Sequence, residues 1–254
     1  MIATDPQDIQ NLRDGGKVLA GALRTAAALV APGVTTAELD LAAEKYIRDN
    51  GGVPAFLGYT PDGMKSAYPA VLCVSINNEV VHGIPRDTIV LEEGDIVSLD
   101  LGLSFNGLFV DSAITMGVGE VDDTARKLMA ATVEATHAAI KAATVGNKTG
   151  DIGAAIEDVA HRTGFSCVED LGGHGVGKAV HEKPYIPNEG PAGIGEKIVE
   201  GMVLAIEPML AEGKGAIVLA PDQWTYAMRD GKRAAHVEHT VLITKDGPEI
   251  LTKE

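Results

Sequence analysis

The sequence predicts an α+β fold made from two copies of one unit, residues 1–120 and 121–254, packed about a pseudo-twofold axis. Three observations carry this expectation. Helix-spaced apolar residues come in two pairs of segments, and each pair leads into an apolar strand segment that ends on an acid. The residues that break and start the helices (Gly33, Thr36 and Gly51, then Gly146, Thr149 and Gly164) recur at one constant offset. The repeat is too long for a solenoid, which stacks units of 20–50 residues.

In the first unit, Leu12, Leu19, Leu23, Ala26, Leu29 and Val30 are spaced as one face of a helix that Ala31-Pro32-Gly33 breaks. Thr35-Thr36-Ala37-Glu38 is a capping signature for a second helix, carried by Leu39, Leu41, Ala42, Tyr46 and Ile47 and stopped at Asn50-Gly51-Gly52. The second unit repeats the order. Residues 128–143 form a helix, Val145-Gly146-Asn147 breaks it, and Thr149-Gly150-Asp151 starts another with Ile152, Ile156 and Val159 on its apolar face. Turn-to-strand segments follow, Glu93-Gly94-Asp95-Ile96-Val97-Ser98-Leu99-Asp100 and Glu200-Gly201-Met202-Val203-Leu204-Ala205-Ile206-Glu207. A second strand motif also recurs, Val110-Asp111-Ser112-Ala113-Ile114 against Val237-Glu238-His239-Thr240-Val241. Each unit carries a Val-His step as well, Val81-His82 and Val180-His181.

Composition limits the function. The 254 residues carry 21 Lys and Arg against 36 Asp and Glu, a formal net charge of −15. Such a balance argues against sequence-independent nucleic-acid binding, which needs cations to displace phosphate counterions, and against attraction to anionic lipid. Cys73 and Cys167 have no zinc-type spacing and cannot build a disulfide framework, so they read as buried thiols in a reducing cytosol. The first residues have neither a basic nor an apolar region of the kind a signal peptide needs, and the apolar stretch 26–31 is too short to span a bilayer. A cytoplasmic protein is expected.

The duplicated strands deliver four acids, Asp100, Asp111, Glu207 and Glu238, from apolar surroundings. One such acid alone reads more simply as a strand-end carboxylate facing water or capping a nearby backbone amide. Four in matched pairs read as a shared site, and a buried group of four is prohibitive unless protonated or neutralised. His174 lies in Gly172-Gly173-His174-Gly175-Val176-Gly177, where glycines permit close backbone approach or positive φ. No Gly-Lys-Ser/Thr closes that loop, so it is not a phosphate cradle. Four carboxylates balance two divalent cations, and oxygen donors with one nitrogen suit Mn or Fe(II), with Co or Zn also accommodated. Such a pair supports metal-assisted hydrolysis.

These residues resemble the type I methionine aminopeptidases of the pita-bread metallopeptidase superfamily, peptidase family M24. The matching segments are Asn78-Glu79-Val80-Val81-His82-Gly83-Ile84-Pro85, Gly173-His174-Gly175-Val176-Gly177, Val180-His181-Glu182-Lys183-Pro184, Ile206-Glu207-Pro208-Met209 and Glu238-His239-Thr240-Val241. The resemblance covers nearly the whole chain as one catalytic domain, 1–254, with the pita-bread form of the duplicated fold. It implies removal of the N-terminal methionine from nascent proteins whose second residue is small, by dinuclear-metal activation of a bridging water. It further implies that Asp100 chelates one ion, that Asp111 and Glu238 bridge, and that His174 and Glu207 hold the other ion, with Glu207 also the general base. His181 resembles the histidine that stabilises the tetrahedral intermediate, and His82 the one that contacts the scissile-peptide region.

Phe56, Tyr59, Tyr68, Cys73 and Trp224 fall where the family lines its methionine pocket, and a polarizable thioether suits aromatic walls. Ordinary core packing is the competing reading for each of them. Two departures stand out: the connection 60–67 is longer than is usual, and Val180 replaces an aromatic, leaving a wider pocket. The resemblance implies a monomer whose partner is the N-terminal peptide of a nascent chain, met near the ribosome, although no basic extension marks a docking segment. Val180-His181-Glu182 also resembles proline-specific relatives, prolidases and Xaa-Pro aminopeptidases. Those usually carry a separate amino-terminal domain and lack the His82 segment and His239. A metal-free pita-bread binding module is the third reading, and such modules lose ligands that are all present here.

Overall fold

Four helices form where local chemistry starts and stops them in the structure, a computed structural model that describes residues 1–61 and 66–253. The first, α1 (Pro6–Ala27), opens at Asp5, whose carboxylate accepts the Gln7 N–H at 2.8 Å, with Pro6 at a position where no N–H is needed. It ends before Leu29 and Val30, which sequence spacing assigned to its apolar face. Pro32 disfavours helical backbone before it, and the Leu29 and Val30 amides tighten onto Ala26 and Ala27 in a final turn. The second, α2 (Thr36–Asp49), carries the expected reciprocal cap: Glu38 N–H reaches Thr35 Oγ1, and Thr35 N–H reaches the Glu38 carboxylate.

The third helix, α3 (Asp123–Ala142), begins five residues before the apolar pattern does, because Asp122 caps the Ala125 N–H at 2.8 Å over a polar first turn. The fourth, α4 (Thr149–Thr163), ends on Gly164 at φ +81°, the left-handed conformation that favours glycine. No helix among the described residues is long and apolar enough to cross a membrane.

Strands β1 (Val53–Pro54), β2 (Leu72–Ile76), β3 (Glu79–Val81), β4 (Ile96–Phe105) and β5 (Leu108–Gly117) precede α3. After α4 come β6 (Ser166–Cys167), β7 (Gly172–Gly175), β8 (Glu182–Pro187), β9 (Val203–Ile206) and β10 (Met209–Ala211). The remaining strands are β11 (Ile217–Leu219), β12 (Tyr226–Met228), β13 (Ala234–His236), β14 (Glu238–Thr244) and β15 (Gly247–Ile250). The main sheet runs β1-β4-β5-β14-β9-β7-β8, with β2 also on β4 and β15 also on β14. Its pairings are antiparallel throughout.

One sheet face packs on the helices. Leu99, Leu101 and Leu103 of β4 meet Leu12, Leu19, Leu39 and Ile47 of α1 and α2 in one core. Leu204, Ile206, Val241 and Ile243 meet Leu128, Ile140, Ile152 and Ile156 of α3 and α4 in a second. Strand alternation therefore turns Asp100, Ala205 and Glu238 to the opposite face. That face is covered in turn by smaller clusters, one built on Val80, Met209 and Met228 and one on Phe56, Tyr68 and Trp224. Burial on both sides explains why these strands read as continuous apolar runs.

Asp100 does not close its strand, as the duplicated motif suggested. An Asn106-Gly107 turn, with both φ angles positive, lets β4 continue past Asp100 and pair with β5 along its length. Glu207 does follow the end of β9, because Pro208 cannot donate to a ladder.

Candidate metal centre

Five adjacent strands of the sheet each bring one donor to the same face. Asp100 lies on β4, Asp111 on β5, Glu238 opens β14, Glu207 follows β9, and His174 lies on β7. Register sets the spacing. Asp100 and Glu238 both pair with Ala113, so a methyl group alone separates the two carboxylates across β5. His174 and Thr240 likewise both pair with Ala205. Asp111 and Thr240 are stitched together, since the Thr240 hydroxyl accepts the Asp111 N–H at 2.8 Å and donates to Asp111 O at 2.7 Å.

The glycines next to His174 serve close approach, and positive φ in this run falls on Gly177, at +130°. A Cβ on Gly173 would stand 2.3 Å from Ala205 O, and one on Gly175 would stand 2.2 Å from Lys183 O. The segment is therefore a strand, not the loop that a glycine run suggests, and only bare backbone lets β7 sit between β8 and β9.

The donors fall into overlapping groups whose ligand atoms lie within 4.8 Å of one another: Asp100, Asp111 and Glu238, and His174, Glu207 and Glu238. A third group joins Asp111 and His174 with His181. Asp100, Asp111, Glu207 and Glu238 are all buried, and Asp100 Oδ1, Asp111 Oδ1 and Glu238 Oε1 have no hydrogen-bond partner among the described residues. Burial pushes the Asp100 carboxyl up to about 7, eased by His236 and reinforced by Glu207. Burial raises Asp111, Glu207 and Glu238 well above the usual carboxylate range, with mutual repulsion adding for Asp111 and Glu238. Burial also lowers His174 to about 3. Four buried acids, three of them with an orphaned oxygen, and a neutral imidazole form a donor set that fits divalent cations, which supply the missing countercharge.

A cavity of about 220 Å³ opens on this cluster. Every residue expected from the sequence lines it: the five donors, His82 and His181, and the five pocket residues Phe56, Tyr59, Tyr68, Cys73 and Trp224. Phe56, Tyr68, Cys73 and Trp224 pack with Val180 in one buried group, with Tyr68 and Trp224 edge to face at 5.2 Å. Burial beside Asp100 pushes the Cys73 thiol far up, so it stays protonated. Tyr59 differs from the other four: its hydroxyl lies 2.8 Å from His181 Nδ1. His82 holds φ +62°, a strained backbone for a side chain with Cβ, and its ring faces Trp224 and Tyr226. Burial, with His181 and His236 nearby, lowers His82 to about 4.

Of the long connection 60–67, residues 62–65 lie outside the described residues, while Pro61 lines the cavity. The Glu182 carboxylate, next to His181, accepts the backbone amides of Lys178 and Ala179.

Sequence reasoning passed over Leu171 and Met209, which add apolar wall, and His236, whose Nε2 lies 3.3 Å from Glu207 Oε2. His236 stands two residues before Glu238 in an apolar run, and that spacing was the available signal.

Residues 10–245 match the model of metallopeptidase family M24, and the chain belongs to that family. Within it, the chain is 46% identical over 250 residues to a methionine aminopeptidase of Aquifex aeolicus, covering 97% of this chain and 96% of the relative. The crystal structure of a methionine aminopeptidase from Thermotoga maritima superposes with a TM-score of 0.95 at 42% identity, covering all of both chains. A prolidase from Pyrococcus horikoshii shares the fold at a TM-score of 0.77 and 21% identity, with 99% of this chain matched to 63% of that one. The fold is thus the pita-bread fold that the sequence resemblance implied.

Proposed function

We propose that this protein is a methionine aminopeptidase that removes the N-terminal methionine of nascent proteins when the second residue is small. The observation that carries the reading is one continuous cavity, in which the acid-and-imidazole cluster opens onto a pocket walled by Phe56, Tyr68, Cys73 and Trp224. A thioether side chain seated against those rings would bring the peptide bond behind it to the cluster. The high identity to named methionine aminopeptidases supports the same substrate.

Asp100, Asp111, Glu238, His174 and Glu207 would hold two divalent ions, the first three grouped together and Glu238 also within reach of His174 and Glu207. Mn, Fe(II) or Co suit this set best, with Zn accommodated. Bound ions would supply Lewis acidity, easing deprotonation of a water and polarising the substrate carbonyl.

The protein's own groups do the rest. Glu207 takes the proton of the attacking water on its carboxylate and passes it to the leaving amine as the C–N bond breaks. His181 stands beside Asp111 and His174 and donates to the carbonyl oxygen as negative charge grows there. His82, held by its strained backbone near Trp224, orients the scissile peptide. The substrate is the N-terminus of a chain newly made in the cytoplasm.

Chelation followed by reconstitution tests the reading. Protein stripped of divalent metal should release no methionine from Met-Ala-Ser, and Mn, Fe(II) or Co should restore release. Undiminished activity in chelator, or no bound divalent metal after anaerobic reconstitution with Asp111→Ala as control, would overturn it.

A further inference from the structure

His236 is a buried histidine that the five donors and the two pocket histidines leave unexplained. It is 1% exposed, and neither ring nitrogen has a hydrogen-bond partner among the described residues. Its backbone is clamped from the strands that carry Asp100 and Asp111. Thr115 Oγ1 donates to His236 O at 2.7 Å and accepts the His236 N–H at 2.9 Å. Ser98, the cross-strand neighbour of Thr115, braces that hydroxyl at 2.7 Å. The clamp projects the ring into the acid cluster, with Nε2 3.3 Å from Glu207 Oε2 and 3.9 Å from Glu238 Oε2.

Glu207 consequently lies between two imidazoles. Its Oε1 is 3.4 Å from His174 Nε2, and its Oε2 is 3.3 Å from His236 Nε2. His174 belongs to the candidate ligand set, whereas His236 comes from a different strand and approaches the other oxygen. Two acceptors facing each other across such a gap would repel, so the nitrogen beside the carboxylate is the one that carries the proton.

We propose that His236 is a positioning residue for Glu207: as a neutral imidazole it directs Nε2–H at Glu207 Oε2, a 3.3 Å approach that closes to a hydrogen bond when the site is loaded and then fixes the carboxylate plane. Oε1 is thereby kept toward His174, and the carboxylate cannot swing as it takes up and releases a proton. Outer partners of this kind commonly change metal affinity or activity by about 10–100-fold.

The kinetic arm of the test rests on the aminopeptidase reading, while two further arms do not. His236→Leu keeps bulk but has no donor, and His236→Gln restores an N–H of similar reach. The Leu variant should lose about tenfold or more in kcat on Met-Ala-Ser, with KM within about twofold, and should bind Mn(II) about tenfold more weakly by calorimetry. The Gln variant should recover both to within about threefold of wild type. Imidazole ¹⁵N spectra of the Zn-loaded full chain, in which Glu207 is ionised, should place the His236 proton on Nε2.

A Leu variant with wild-type kcat and Mn(II) affinity would overturn the proposal, as would a proton on Nδ1 or a Gln variant no better than Leu. If the Leu variant does not fold, the Gln variant and the wild-type spectra decide. If wild type cleaves no methionyl peptide, the aminopeptidase reading falls, and the spectra and Mn(II) affinities still judge His236.

Discussion

Tyr59 Oη lies 2.8 Å from Nδ1 of His181, joining the segment after β1 to the segment before β8 across the mouth of the cavity. When the phenol donates, Nδ1 is the acceptor and the neutral ring carries its proton on Nε2. The ring that faces His174 at 4.4 Å between centroids is then fixed in both tautomer and tilt. Tyr59→Phe should lower kcat about three- to tenfold, the worth of one hydrogen bond, with a smaller change in KM. Steady-state kinetics on Met-Ala-Ser check this, and an unchanged kcat would show that the bond does not orient His181.

The acid cluster makes the stability of metal-free protein depend on pH in a defined direction. Asp100 is raised to about 7 in the folded protein, and burial also raises Asp111, Glu207 and Glu238 well above the usual carboxylate range. Between the unfolded and folded pKa values the native state binds more protons, so this stability is present at low pH and lost as pH rises. Histidines lowered by burial, His174 to about 3 and His82 to about 4, act in the opposite sense. Their contribution is complete above the ordinary value of 6.5 and is lost as pH falls. Above pH 6.5 the carboxylates therefore set the slope. Denaturant unfolding in chelator should show stability falling from pH 6.5 to about 8.5. Saturating Mn(II) should remove that fall, since the ions replace protons as countercharge.

Relieving the repulsion should stabilise metal-free protein while destroying the site. Asp111→Asn keeps the shape of the side chain and removes a buried acid that folding must otherwise protonate or leave charged among other acids. At about pH 8 its metal-free Tm should rise by about 3 °C or more, on the scale of one pKa unit of relieved interaction. Mn(II) binding and hydrolysis should both be lost. A lower Tm at that pH would contradict the electrostatic account.

Val180 shares a buried group with Phe56, Tyr68, Cys73 and Trp224, so a larger side chain there intrudes on the thioether pocket. Val180→Phe should reduce kcat/KM for an ethionyl peptide relative to the methionyl one by about tenfold, the usual value of one methylene in a tight pocket. Competition between Met-Ala-Ser and its ethionyl analogue measures the ratio directly. An unchanged ratio would place the Val180 side chain away from the substrate.

Helices and donors were legible in the sequence because their signals are local. The Thr35–Glu38 cap and the apolar spacing of Leu12, Leu19 and Leu23 need only neighbouring residues to be read. The four acids stood out because each interrupts or borders an apolar run in a duplicated pattern. Features set by distant partners were not legible. The run of β4 beyond Asp100 depends on pairing with β5, and the end of α1 depends on how the chain turns at Pro32. Tyr59 read as pocket wall because nothing nearby in sequence reveals that its hydroxyl meets His181. His236 stayed hidden because its meaning comes from Thr115 on β5 and Glu207 after β9, both distant in sequence.

Product analysis on a small peptide panel tests the central claim most directly. Protein reconstituted with Mn(II), Fe(II) or Co(II) should release methionine from Met-Ala-Ser, leave Met-Leu-Ser intact, and show no preference for Xaa-Pro substrates. Efficient cleavage of Xaa-Pro peptides with Met-Ala-Ser untouched would contradict it.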